Sequence, residues 1–177
     1  VNFACLNRTG METRLTPFVA ILMGPDSDLN VMEAAADVLS QFDVAHEIKV
    51  TSVHRTPEDF RSYVTEAESR GCQVYIADAG MAAQLAGMVA ATTIRPVIGV
   101  PIDTGPLNGL AVLLSTVQMP GGIPVATVAI GKTGAENAAY LALQMMSLAD
   151  DGLQEQLLQD RSDNAEKVRK KSASLGK

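Results

Sequence analysis

The 177-residue sequence predicts an α/β fold, a three-layer αβα sandwich in one domain, with helices covering both faces of a parallel sheet. Three observations predict it. Short apolar runs alternate with helix-length segments five times in series, and each run ends in a loop rich in Gly, Ser, Asp or Pro. The composition, 47% apolar and 19% charged, supplies one core rather than two.

Phe18-Val-Ala-Ile-Leu-Met23 is an unbroken apolar run, followed by Gly24-Pro25-Asp26-Ser27-Asp28 and by Leu29 to Leu39, which favours helix. Val44 to Thr51 alternates, with Ile48 and Val50 set around Glu47 and Lys49, and passes through Ser52-Val53-His54-Arg55-Thr56 into a second helix. Pro57 suits that helix's first position, Glu58 and Asp59 suit the positive end of its dipole, and Gly71 suits its stop. A third strand, Gln73 to Ala77, leads through Asp78-Ala79-Gly80 into a helix of small residues over Met81 to Thr92. Pro96 to Pro101 precedes a helix over Asn108 to Val117, and Val125 to Ile130 precedes one over Gly134 to Leu148. Leu153 to Lys171 is charged on most faces, so the segment 151–177 fits either a helix packed on a neighbouring subunit or a frayed tail.

The 14 Lys and Arg against 20 Asp and Glu give a net charge of −6, which leaves no basic surface for a phosphate backbone and argues against nucleic acid as partner. Cys5 and Cys72 form no CxxC or CxxH pattern, and the histidines are His46 and His54, so a disulfide scaffold or structural zinc is excluded. Thr104 to Gly131 is uncharged but broken by Pro120-Gly121-Gly122 and Pro124, short of the ~20 continuous apolar residues a spanning helix needs. Residues 1–17, with Arg8, Glu12 and Arg14, lack the apolar centre of a signal peptide. The expectation is a cytoplasmic protein with a loose N-terminal leader and no membrane contact. Ala79 to Ile94 is uncharged as well, and two such stretches predict apolar interfaces in a homo-oligomer.

Ligands of open parallel sheets bind outside the carboxyl ends of the strands. That rule selects Gly24, Ser27 and Asp28 behind the first strand, Ser52, His54 and Arg55 behind the second, and Asp78, Gly80 and Gln84 behind the third. Small donors, an arginine and helix-start amides suit a phosphate monoester, and Asp28 suits a sugar hydroxyl because like charges repel. Plain structural roles compete: Ser27 and Asp28 as N-caps, Ser52 as a turn residue, Arg55 paired with Asp59, Gly80 as relief of crowding. His54 stands out, since imidazole both gives and takes a proton near neutrality; His46 reads as a strand residue beside Glu47. No Walker loop, no GxGxxG after the first strand and no GxSxG elbow is present, which disfavours ATP, nicotinamide cofactors and serine hydrolysis.

Met23-Gly24-Pro25-Asp26-Ser27-Asp28, Ser52-Val53-His54-Arg55-Thr56-Pro57, Ala79-Gly80-Met81-Ala82-Ala83-Gln84-Leu85, Gly99-Val100-Pro101 and Val117-Gln118-Met119-Pro120 with Gly122 to Val125 together resemble the 5-(carboxyamino)imidazole ribonucleotide mutase family, bacterial relatives of aminoimidazole ribonucleotide carboxylase. The resemblance runs from about Val19 to Leu148. It implies a flavodoxin-like ribonucleotide-binding domain over 18–150, assembled as a homo-octamer. It implies a reaction of purine synthesis, free of cofactor and metal, on a phosphorylated aminoimidazole ribonucleotide. The carboxyl group leaves the exocyclic nitrogen as carbon dioxide, is held in a dry pocket and returns at ring carbon 4. In the same way it implies that His54 moves the ring proton and that Ser52 and Arg55 hold phosphate with Gly24 and Ser27. Asp28 would hold ribose, Ala79 and Gly80 would line a pocket for the gas, and Gln84 and Leu85 would stand among the substrate-binding residues.

The sequence departs from that pattern where the site is expected. Pro25 stands where serine is usual and removes a backbone donor; Asp78 and Met81 stand where glycines are common, and Gln84 where a histidine is. Asp103-Thr104-Gly105 replaces a Gln-Ser pair, and Ala111-Val112 an Asp-Ser pair. The Arg-Ser-Asn and Cys-Pro-Pro segments of the class that uses carbon dioxide directly are absent, which favours the mutase. The departures sustain two other readings: a paralogue with altered substrate, and a non-catalytic ribonucleotide-binding oligomer.

Overall fold

In a computed structural model of the chain, residues 15–80, 82–103 and 107–175 are described. The expected leader falls outside them up to position 14, as do Met81 and Thr104-Gly105 among the departures.

β1 (Phe18–Met23) is apolar at every position because both of its faces are covered. Val19, Ile21 and Met23 point to one face, where they meet Met32, Ala35 and Leu39 of α1 (Leu29–Gln41) and Ala135, Ala138 and Leu143 of α5 (Lys132–Met146). Phe18, Ala20 and Leu22 point to the other, onto Phe60 and Val64 of α2 (Pro57–Ser69) and Leu85, Ala86 and Val89 of α3 (Gln84–Thr92). β3 (Cys72–Ala79) alternates in the same way, Val74 and Ile76 against Tyr75 and Ala77. This two-sided burial is the predicted three-layer sandwich.

The sheet is parallel throughout, in the order β2-β1-β3-β4-β5, with β2 (Ala45–Val50), β4 (Val97–Pro101) and β5 (Ala126–Thr127) completing it. β2 is an edge, and its exposed Ile48 and Val50 are offset by a Glu47 carboxylate that accepts from Arg70 and from the Tyr63 hydroxyl. β5 is the other edge and is shorter than the apolar run Val125 to Ile130 predicts. Past Thr127 the chain is tied to β4 only by Val128 N–H to Gly99 O and Gly131 N–H to Pro101 O.

Two helices begin later than their composition predicts. α3 starts at Gln84 rather than Met81, because Ala83 is left-handed (φ 53°) and closes a turn onto Gly80 O. α4 (Leu110–Val117) starts two residues late, because Leu107, Asn108 and Gly109 all have positive φ. The C-terminal segment is helix, α6 (Asp151–Leu175), of which Leu153 and Leu157 are buried; the rest is largely polar and exposed, with Leu158, Val168 and Leu175 exposed among it. No helix among the described residues is long and apolar enough to cross a membrane.

Packing of α5 under the sheet depends on Gly134, where a Cβ would stand 1.7 Å from Ala129 O. Gly134→Ala is expected to destabilise by about 1–3 kcal/mol or more through overpacking. Gly121→Ala, with nothing within 4 Å of the added methyl, should stay within ~0.5 kcal/mol, as denaturant titration of both variants will test.

Candidate active site

Parallel register sets the carboxyl ends of the strands level: Met23 lies opposite Val50, Leu22 opposite Ala77, and Ala79 opposite Pro101. The loops leaving β1, β2 and β3 therefore open on one side and enclose a cavity of about 710 Å³. It brings together Gly24, Ser27, Asp28, Ser52, His54, Arg55, Gly80, Gln84 and Leu85, residues that span 62 positions of sequence. Ala79 is not among the lining residues; it is buried at the end of β3, its methyl against Ala83 and Val112.

The loop after β2 is organised by Ser52. Its carbonyl accepts from Thr56 N–H (2.9 Å) and the Thr56 hydroxyl (3.2 Å), and its Oγ accepts from Arg55 N–H (3.2 Å) and Arg55 Nε–H (3.5 Å). The guanidinium is thus turned back over the cavity instead of pairing with Asp59, and the Ser52 hydroxyl proton is left to donate to a ligand. His54, exposed at the mouth, donates from Nε2 to Gln84 Oε1 across 2.5 Å. That bond leaves Nδ1 as the basic nitrogen of the neutral ring. A glutamine amide turned by half a rotation offers N–H instead, so Gln84 can hold the ring in either tautomer.

The loop after β1 carries the other half. Asp28 occupies the N-cap position of α1 but makes no side-chain cap bond; its Oδ1 accepts from the Ser27 hydroxyl at 3.2 Å. Capping therefore does not account for either side chain. Gly24 N–H is not free for a phosphate, because it donates to Asp78 Oδ2 at 2.9 Å. Asp78, 2% exposed, is pushed up to about 7 by burial and by the Asp28 carboxyl within hydrogen-bond reach, against the lowering effect of the Gly24 amide.

The family model described as AIR carboxylase matches residues 18–167. The chain belongs to the AIR carboxylase family. Among its relatives, N5-carboxyaminoimidazole ribonucleotide mutase of Pyrococcus abyssi is 56% identical over 83% of this chain and 83% of that one. The Bacillus subtilis protein of the same name is 48% identical over 91% of this chain and 99% of its own. The crystal structure of Treponema denticola PurE superposes with a TM-score of 0.82 at 31% identity, covering 91% of this chain and 99% of that one.

In this AIR carboxylase family member, Asp78, which the strand-end rule selects, does line the cavity, but the sequence reading assigned it no role there. A carboxylate ending an otherwise apolar central strand was the available signal, since such a group is costly to bury without a function or partner. Thr51, buried below the cavity with its N–H on Met23 O, was also passed over. Among the described residues no three metal-ligating side chains converge.

The raised Asp78 sets a pH dependence of stability. At the acid end, below the carboxyl's ordinary value of 3.8, it is protonated in both folded and unfolded chains. From there to about 7 the unfolded chain releases a proton that the folded chain keeps, so stability falls as pH rises through this window. Asp78→Asn, which keeps an acceptor for Gly24, should raise the melting temperature by several degrees at pH 8. At pH 4 it should change it by about a degree or less, as calorimetry at the two pH values will measure.

Proposed function

We propose that the chain is a 5-(carboxyamino)imidazole ribonucleotide mutase, moving a carboxyl group from the exocyclic nitrogen to ring carbon 4 of a phosphorylated aminoimidazole ribonucleotide. The observation that carries this reading is the pairing of His54 with Gln84 at the mouth of a cavity with one polar end and one apolar wall. Arg55 and the Ser52 hydroxyl supply a cation and a donor for phosphate, joined by Ser27. Asp28, with a buried Oδ2 that has no partner among the described residues, is an acceptor for a ribose hydroxyl. Gly80, Ala82 and Leu85 form a wall against which carbon dioxide is held away from water. The names of the relatives support the same reaction.

The proton balance suits one histidine. Breaking the nitrogen–carboxyl bond releases carbon dioxide and leaves its electron pair on nitrogen, which takes a proton. Carbon 4 then attacks carbon dioxide, forms the new carbon–carbon bond and loses its proton to restore the aromatic ring. One proton is given and one is taken, so His54 ends as it began and no cofactor enters the balance.

We further propose a cytoplasmic homo-octamer. Leu107, Leu110, Leu114 and Val117 are each about half exposed or more, an apolar surface suited to contact between copies. Light scattering should give a closed assembly of eight subunits; a stable monomer would remove the interface argument.

Turnover is tested with freshly made 5-(carboxyamino)imidazole ribonucleotide, following the ring-carboxylated product. His54→Asn should lose about 10²- to 10⁴-fold in rate while retaining ribonucleotide binding, and Gln84→His should preserve or raise the rate. Undiminished turnover in His54→Asn would sink the mechanism. Gln84 itself favours a second reading, a ribonucleotide-binding oligomer without turnover, which the assay separates: binding without product in the native protein, with activity gained in Gln84→His.

A further inference from the structure

Asp78 has no part in the reaction just described, yet it sits under it. It ends the central strand β3, is 2% exposed, and faces Asp28, itself 4% exposed, across the floor of the cavity. Its Oδ2 is occupied by Gly24 N–H, and the Asp28 Oδ2 is buried with no partner among the described residues. Two carboxylates placed this way repel and leave an acceptor unpaired; one proton between them removes both costs, since a carboxylic acid donates to its neighbour.

We propose that Asp78 is a positioning residue that shares one proton with Asp28, fixes the Asp28 carboxylate for the ligand's sugar, and takes up that proton when a phosphorylated ligand enters the cavity. The proposal rests on the ribonucleotide reading of the site. The proton comes from solvent, and no bond other than its own is made or broken.

The surroundings isolate this pair. β1, β4, α3 and α4, packed against β3, carry no titratable side chain. α5 brings Lys132, Glu136 and Tyr140, and α2 brings Glu58, Asp59, Arg61, Tyr63, Glu66 and Glu68. Across the cavity stand His54 and Arg55, with Asp26 exposed in the loop after β1 and Asp103 beyond β4. Besides burial, the influences on Asp78 are Gly24 and Asp28. With its value pushed up to about 7, Asp78 is neutral below that point and adds a negative charge to the floor above it. An incoming phosphate, itself about doubly charged, favours the neutral form, and by linkage its binding draws a proton in.

The test uses aminoimidazole ribonucleotide and the full-length protein. Calorimetric titrations at pH 7.5 in two buffers of different ionisation enthalpy give the protons taken up per site. The native protein should take up about half a proton more than Asp78→Asn, and its affinity should fall up to about tenfold further between pH 6.5 and 8.5. Contributions from His54 and from the ligand's phosphate are common to both proteins and cancel in the difference. Should Asp78→Asn fail to fold, infrared difference spectra of the native protein decide: the ligand should add a protonated-carboxyl band at pH 7.5, and its absence overturns the proposal. Binding with equal proton uptake in both proteins overturns the shared proton alone. No binding to either overturns the ribonucleotide reading, and the proposal with it.

Discussion

The lateral pairing of β1 between β2 and β3 is the constraint on which the rest depends. Because the three strands run parallel and in register, their carboxyl ends finish within one residue of a common line, and the loops that follow must share one space. Slippage by one residue would turn each apolar set to the wrong layer, so the packing of Val19, Ile21 and Met23 on one side and Ala20 and Leu22 on the other holds the register. The Gly24 N–H to Asp78 bond extends that pairing one step beyond the strands, and it fixes the first loop by a side chain where the backbone ladder has ended.

Elements whose limits are written in local chemistry were legible. β1 was read to the residue because an apolar run meets Gly24-Pro25, and α2 because Pro57 opens it and Gly71 closes it. Limits set by tertiary contacts were not. The left-handed Ala83 delays α3, and alanine carries no sign of that conformation. The run Val125 to Ile130 looks like a full strand, but only the neighbour β4 decides how much of it pairs. At the site, nine of ten expected residues converge, because the rule of strand ends and the motif both follow chain order. The Asp28–Asp78 contact was invisible: the two lie 50 positions apart, and nothing in either segment says that their carboxyls meet.

The site divides its chemistry by direction. Charge and hydroxyl donors stand on the β2 side, buried acid lies on the floor, and methyl and backbone form the wall from Gly80 to Leu85. His54 is placed where these meet, its Nε2 held against the Gln84 amide. A histidine in that position would bring a second titrating ring and a second proton equilibrium. An amide brings neither, so in the proposed reaction the proton falls to one imidazole, with Asp78 the buried acid beneath it.

The strand order also governs the order of assembly. As the chain leaves the ribosome, β1 meets β2 after some twenty residues, but its other edge stays bare until β3 has emerged beyond α2. For that interval an all-apolar strand presents open backbone groups on one side and an uncovered layer beneath, features that invite association with other chains. The sheet interior is thus built from contacts distant in sequence, which places this fold among the slower to form and makes nascent chains ending before residue 79 its most aggregation-prone species.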